Sequence, residues 1–489
     1  MRSIRAASFG FAWITFSLAA TADAAPATPP LTPPKTPTAV AKLPNIPKPP
    51  ETYKPTPPAP ARTIVTIAAN DPRDILTIIR DNRKPGVVLQ LPPKVYAVSP
   101  PAVNVGGEYP TVDDFTIETA GAAGSTVIDC GASPNHCLYL RGQRNALRGL
   151  EIRGDVEAHG SIRVDFATIT GRFSARMRDA RACDELSVYG STLGMLDFVK
   201  CKRVALIGNQ LRVRLGIEGE TGEWDGIKFE EYAVIERNRI TGQALSVIGR
   251  WDVVGGARLV GNRVLEGAKI YAFSYSTLQI EGNEVSDAAL YGIRAGGGTG
   301  SRIAGNIVTS TGPGQSGDLG TAIDVLGSSP GIELVNNKID AADRGIALTR
   351  ASEARVYANS VTHAAQSGIH VVESRGVQLV HNTFSSRNYG AVFMKDSHDA
   401  TLYNNAFFAP IAAAGELPTT FGSAGGNCAA YGNSLPPMPA TGGGAGPTVG
   451  EQCRAIAGAP VNAKTVPGFP KTDVAGRPFP AKPVAGAYQ

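Results

Sequence analysis

LQIEGNEV (278–285) and SRIAGNIV (301–308) are two copies of the stretch that decides the fold. The shared phrase is apolar, any, apolar, two variable residues, Asn, any, apolar. It occurs upstream as VALIGNQL (204–211), YAVIERNRI (232–240) and ARLVGNRV (257–264). Downstream it reads IELVNNKI (332–339), ARVYANSV (354–361), VQLVHNTF (377–384) and ATLYNNAF (400–407). Its asparagines, Asn209, Asn238, Asn262, Asn283, Asn306, Asn337, Asn359, Asn382 and Asn405, are 29, 24, 21, 23, 31, 22, 23 and 23 residues apart. A recurrence of this length with period-two alternation predicts stacked windings of short strands. Each strand then pairs with its equivalent one winding on, about 4.8 Å along the axis. Asn tolerates positive φ better than other side-chain-bearing residues, so an Asn at one corner is expected to turn each winding. Its stacked amides are also expected to bond along the column. These asparagines are therefore read as architecture. Upstream, Gly190 and Gly171 are read in the Asn position, and a further winding near Leu150 brings the expected count to about thirteen.

The pattern resembles the right-handed parallel β-helix proteins of the pectin-lyase-like superfamily, from about Thr63 to Gln489. The expected architecture is all-β: a single right-handed parallel β-helix solenoid with an N-terminal cap helix and an irregular C-terminal cover. Length alone would suggest several domains, but the repeat argues for one elongated domain.

Residues 1–24 read as a secretory signal: Arg2 and Arg5 precede an apolar run from Phe9, and Ala22-Asp23-Ala24 suits cleavage. The run is short for a membrane span, and no other segment is suited to cross a bilayer. The expected location is periplasmic or secreted. Residues 25–61 are rich in Pro, Thr, Ala and Lys and read as an extended linker, a tether suited to envelope association. The β-helix with its cap is assigned to 62–410 and the cover to 411–489. An open first winding needs shielding, and AANDPRDILTIIRDNRKPG (68–86) supplies a helix with Asp71 as cap, Pro72 in the first turn and an apolar face of Ile75, Leu76, Ile78 and Ile79. The closing stretch DVAGRPFPAKPVAGAYQ (473–489) resembles the segment that packs over the last windings in bacterial β-helix proteins. Six cysteines in an exported chain can pair fully. Cys130 with Cys137, Cys183 with Cys201 and Cys428 with Cys453 are the suggested pairs among 15 connectivities. The net charge of +5 is made of mixed charges without a basic run, so no nucleic-acid partner is expected.

A second phrase, Gly-Ile-x-apolar, lies on the strand after each long turn, and its middle residue points outward. The first outward row reads Asp197, Lys228, Ser246, Tyr271, Arg294, Asp324, Ala347, His370 and Val392. The second reads Val199, Glu230, Ile248, Phe273, Gly296, Leu326, Thr349, Val372 and Met394. The resemblance implies that this face is the groove in which β-helix lyases, epimerases and hydrolases hold polysaccharide. On that basis Tyr271, Arg294, Asp324 and His370 are the candidate catalytic residues, and Lys228, Glu230 and Phe273 the candidate substrate contacts. A cation such as Arg294 or Lys228 would neutralise a uronate carboxylate and acidify the proton beside it. Tyr271, His370 or Lys228 would move that proton. Asp324 would orient Arg294 or, with other carboxylates, hold Ca²⁺, the one metal considered. Hydrolysis wants paired carboxylates, which this row lacks. The Gly-His-Gly of polygalacturonases, the Asp-Pro-His-Asp of alginate epimerases and the Arg-x-Pro-x-x-Arg of pectate lyases are all missing. Asp71-Pro72-Arg73-Asp74 lacks the histidine. The resemblance therefore transfers a fold and not a reaction. The expected function is that of an exported carbohydrate-active protein, a lyase or C5-epimerase on an acidic polysaccharide. The rival is a non-catalytic polysaccharide-binding or envelope scaffold protein.

Overall fold

The computed structural model describes residues 62–408 except 99–110, 132–136, 177–182, 214–225, 250–255, 275, 314–318, 328 and 388–389. It also describes 411–414, 421–425, 427–429, 454–457, 471–473 and 475–478. Residues 1–61, read above as signal and linker, together with Cys453 and residues 479–489, lie outside the described residues. All described residues fall in one compact unit, Ile46–Gln489.

Three parallel ladders form the walls of a solenoid. The second ladder can be followed strand by strand from Thr63–Thr66 to Phe421–Gly425, sixteen segments in all. This exceeds the thirteen windings expected, because the first windings lack the Asn that marks the later ones. Beyond residue 410, where irregular cover was expected, Ile411–Ala414 and Asn427–Ala429 still pair in parallel, and Arg454–Ala457 then adds an antiparallel edge.

The nine asparagines form one unbroken buried column. Each is at most 2% exposed. In Asn306, Oδ1 accepts from the backbone N and from Nδ2 of Asn283, both at 2.9 Å. Its Nδ2 donates to Ile280 O at 2.8 Å and to Asn337 Oδ1 at 2.9 Å. The same set recurs at Asn238, Asn262, Asn283, Asn337, Asn359 and Asn382. The corner itself is turned by the residue before each Asn. Gly208, Arg237, Gly261, Gly282, Gly305, Asn336, Ala358, His381 and Asn404 all have φ between 52° and 67°. The asparagine is thus the bonding residue and its predecessor the bending one. Gly190 (φ 54°) accordingly aligns with Gly208, and Ser191 takes the Asn place, its N donating to Asn209 Oδ1 at 2.9 Å. One winding earlier the bending residue is Phe166 (φ 50°), not Gly171.

The Gly-Ile phrase has a packing cause. A Cβ on Gly345 would lie 2.3 Å from Val361 Cγ1 and 2.4 Å from Gly368 O, and one on Gly368 would lie 2.7 Å from Phe384 Cβ. The third wall fills the space a side chain would need. The isoleucines beside these glycines stack inside: Ile270, Ile293, Ile323, Ile346 and Ile369 occupy one column, with Val392 next, all fully buried.

A helix, α1 (Ile75–Asn82), buries Ile75, Ile78 and Ile79 at the N-terminal end, with Leu76 partly packed. Its cap is Asp74, whose Oδ1 accepts from Thr77 N at 2.9 Å. Asp71 instead pairs with Arg73 at 2.7 Å. The disulfides Cys130–Cys137 and Cys183–Cys201 are formed as suggested. Near the other end, Asn336 Nδ2 donates to Thr472 O at 3.2 Å, and the buried Asp473 accepts from the backbone N of Ala475 and Arg477. The GRP-containing segment thus begins beside the winding of Asn337, three windings before the last Asn, where packing over the last windings was expected. Among the described residues no helix is long and apolar enough to cross a membrane.

Candidate functional site on the first face

The first wall contains Lys269–Ser274, Tyr291–Gly297, Thr321–Leu326, Arg344–Thr349, Ser367–Val372 and Gly390–Lys395. Their register puts Ser246, Tyr271, Arg294, Asp324, Ala347, His370 and Phe393 in one outward column. The expected row is therefore real for Tyr271, Arg294, Asp324 and His370. Its ends differ. Ile227 pairs with Val247 and Lys228 with Ile248, so Lys228 belongs to the neighbouring column with Phe273 and Gly296. Glu230 lies past the paired segment, because Phe229 already faces Gly249 and the register shifts before Tyr232. Phe393 takes the place expected for Val392, and Met394 points into the core, because Gly390 pairs with Ser367 and shifts that strand by one residue. Val199 is also a core residue.

Tyr271 and His370 are four strand steps apart, about 19 Å. No single bond of a bound substrate lies within reach of both. The column divides into two groups. In the first, Arg294 Nε donates to Asp324 Oδ2 at 2.8 Å, and the guanidinium carbon lies 4.3 Å from the centre of the Tyr291 ring. Lys269 Nζ lies 4.5 Å from the same ring. Tyr271 packs on Phe273 with ring centres 4.6 Å apart and lies 6.1 Å from Tyr291. Asp324 is 6% exposed, and burial raises its pKa against the pull of Arg294. Burial pushes Tyr291 up to about 12, and burial with Arg294 nearby lowers Lys269. Arg294 is thus already committed to Asp324. Asp324 is a poor start for Ca²⁺, which wants six or more oxygen ligands: its carboxylate holds Arg294, and no cluster of three His, Cys, Asp or Glu suited to a metal occurs among the described residues.

The second group centres on Arg344, which the phrase-based reading passed over because it precedes the Gly-Ile pair. Arg344 pairs with Thr321 and Ser367, on the winding between Asp324 and His370. It makes no ion pair among the described residues, and its Nε is buried without a hydrogen-bond partner. It acts electrostatically on both Asp324 and His370. His370 stacks on Phe393 with ring centres 4.6 Å apart. Burial, and then Arg344, hold its pKa down to about 4. At the position between Asp324 and His370 the column carries the small residue Ala347.

The depressed histidine has a measurable signature. The unfolded chain takes up a proton on this residue near pH 6.5, while the folded chain resists it until about pH 4. The unfolded state binds more protons across that window, so acidification through it destabilises the fold. His370→Gln should remove this share of the acid sensitivity, read as a smaller drop in the urea midpoint between buffers on either side of the window. An unchanged drop would show that the imidazole titrates normally.

Residues 250–407 match a family described as the right handed beta helix region. Among curated proteins no sequence matches this chain. Solved structures of similar fold include an alginate lyase complex, at 13% identity and TM-score 0.34, covering 73% of this chain and 86% of that one. Another is the A-module of a mannuronan C-5 epimerase from Azotobacter vinelandii, at 14% identity and TM-score 0.29, covering 71% and 91%. Tailspike protein 3 of bacteriophage CBA120 has 12% identity and TM-score 0.28, covering 73% and 52%. At these values the likeness says nothing of activity. The three parallel ladders and the continuous asparagine column give this chain the fold of a right-handed parallel β-helix, and its residues 250–407 match that family.

Proposed function

We propose that this chain is an exported carbohydrate-active protein that takes an acidic polysaccharide along its first face and acts on it as a lyase or C5-epimerase. The observation that carries the reading is Arg344, an arginine without an ion pair among the described residues, one winding from His370, whose pKa is held down to about 4, on an aromatic-bearing wall. Tyr271, Phe273 and Phe393 offer surfaces on which sugar rings stack. Lys228, two windings from Phe273 in the same column, extends the contact. Two disulfides support an oxidising compartment, in keeping with the signal-like residues 1–24.

Arg344 takes over the role first given to Arg294. It would neutralise the substrate carboxylate and favour charge developing beside it. Neutral His370 would accept the C5 proton. In elimination the C–H electron pair becomes the C4=C5 double bond, the C4–O4 bond breaks, O4 takes a proton from solvent, and His370 later releases the C5 proton to solvent. In epimerisation a proton returns to C5 from the opposite side and no bond of the chain is lost. Tyr271 is too far from His370 to take part at the same sugar and is reassigned to stacking.

A second reading, a polysaccharide binder without catalysis, is favoured by the Arg294–Asp324 pair, which removes two candidate groups from chemistry. Incubation with alginate, pectate and glycosaminoglycans separates the two. The first reading expects an ultraviolet-absorbing unsaturated uronate, or an altered uronate composition by NMR. It further expects that Arg344→Ala and His370→Gln each lower the rate about 100-fold. Retention on a polymer column without either product selects the second reading. Neither product nor retention would sink both.

A further inference from the structure

A different wall carries an open cavity of about 160 Å³ near the N-terminal end, on the windings of Asn145, Ile162 and Leu186. Several of its lining groups offer N–H donors that bond no acceptor among the described residues. Asn145 is 2% exposed and its Oδ1 accepts from Phe115 N at 3.0 Å, which fixes the amide. Its Nδ2 has no acceptor among the described residues. Gln143 repeats the arrangement: its Oε1 accepts from Ser161 N at 3.0 Å and from Ser161 Oγ, and its Nε2 has no acceptor there. Arg62 donates to Thr116 Oγ1 at 3.0 Å and makes no ion pair among the described residues; burial, and then Arg148, lower its pKa, while the more distant carboxylates of Asp114 and Glu118 act the other way. The two carboxylates of the lining are occupied, Asp184 by Lys202 and Glu185 by Ser187 and Arg203.

The two amides present solvent-accessible N–H donors to the cavity, and guanidinium with amide donors suits a carboxylate or phosphate group. The volume is near that of cavities of about 150 Å³ that accept a single six-membered ring. We propose that this cavity is a binding site for a compact oxyanion, the carboxylate or phosphate group of a ligand no larger than one sugar. The site is separate from the first face and does not rest on the reading of that face.

Calorimetric titration of the full chain with glucuronate, inorganic phosphate and neutral glucose tests it. At least one anion is expected to bind with Kd on the order of 1 mM, and glucose is not. Binding of glucuronate alone assigns a carboxylate, and binding of phosphate alone assigns a phosphate group. Asn145→Asp and Gln143→Glu keep the oxygens that accept from Phe115 and Ser161, so the fold should persist, with thermal midpoints near that of the parent. Each replaces a donor with a negative charge and should weaken anion binding at least 10-fold, whereas Arg344→Ala should leave it unchanged. The proposal is overturned if no anion binds, if glucose binds equally, or if Asn145→Asp binds as the parent does.

Discussion

Asn306→Leu is expected to destabilise the solenoid by about 4 kcal/mol or more. The substitution nearly conserves volume, so the loss is almost entirely one of hydrogen bonds. Leucine removes the acceptor for Asn283 N and Nδ2 and the donor to Ile280 O and Asn337 Oδ1. All lie in a column closed to water. Each stranded buried group costs about 1–3 kcal/mol. Adjacent amides also polarise one another, so the cost is not confined to one winding. Solenoid stability is approximately a sum of nearest-neighbour terms. Amide hydrogen exchange should therefore accelerate first in the windings of Asn283, Asn306 and Asn337. Gln279→Leu, on the outer surface of the same region, is the control and should shift stability by under about 1 kcal/mol. Equal effects of the two substitutions would mean the column contributes only turn geometry.

Arg294→Ala is expected to cost about 3 kcal/mol, because it leaves Asp324 buried without its partner. Breaking a buried pair from one side typically costs about 3–5 kcal/mol. The lower end applies because the arginine side chain is 26% exposed. Removing both partners should recover much of the loss, so a double-mutant cycle with Asp324→Ala should show strong coupling. The pH dependence has a defined sign. Burial already raises the Asp324 pKa, and loss of Arg294 removes an interaction that lowers it. The folded state then binds a proton more readily than the unfolded state, so the Arg294→Ala penalty should shrink on acidification. Polymer retention lost in Arg294→Ala with stability unchanged would instead return Arg294 to the substrate.

The asparagine phrase revealed the fold because from Asn209 to Asn405 one buried hydrogen-bond pattern is met at every winding by the same residue type. The bending position was misread for a related reason. Gly, Arg, Ala, His and Asn all occupy it, so it carries no sequence signature. The Tyr271–Arg294–Asp324 column was legible wherever the Gly-Ile pair has a packing cause that fixes register. It failed at Lys228 and Val392, where Ile227 faces Val247 and Gly390 faces Ser367, since a slip of one or two residues leaves composition unchanged. Arg344 was missed because its importance comes from what surrounds it: the carboxylate on the neighbouring winding, Asp324, is already held by Arg294, and Arg344 makes no ion pair among the described residues.

Because every asparagine repeats the bonds of the one before, the molecule is modular along its axis. Excising residues 284–306 would join Asn283 to Ile307 and let Asn283 meet Asn337 in place of Asn306. The column would close over the cut, and the particle would shorten by about 4.8 Å. Arg294 would leave with the excised turn, and Tyr271 would come to lie directly against Asp324. Whole turns are thus natural units of insertion and loss, and each such event redraws the outer surface without disturbing what lies within.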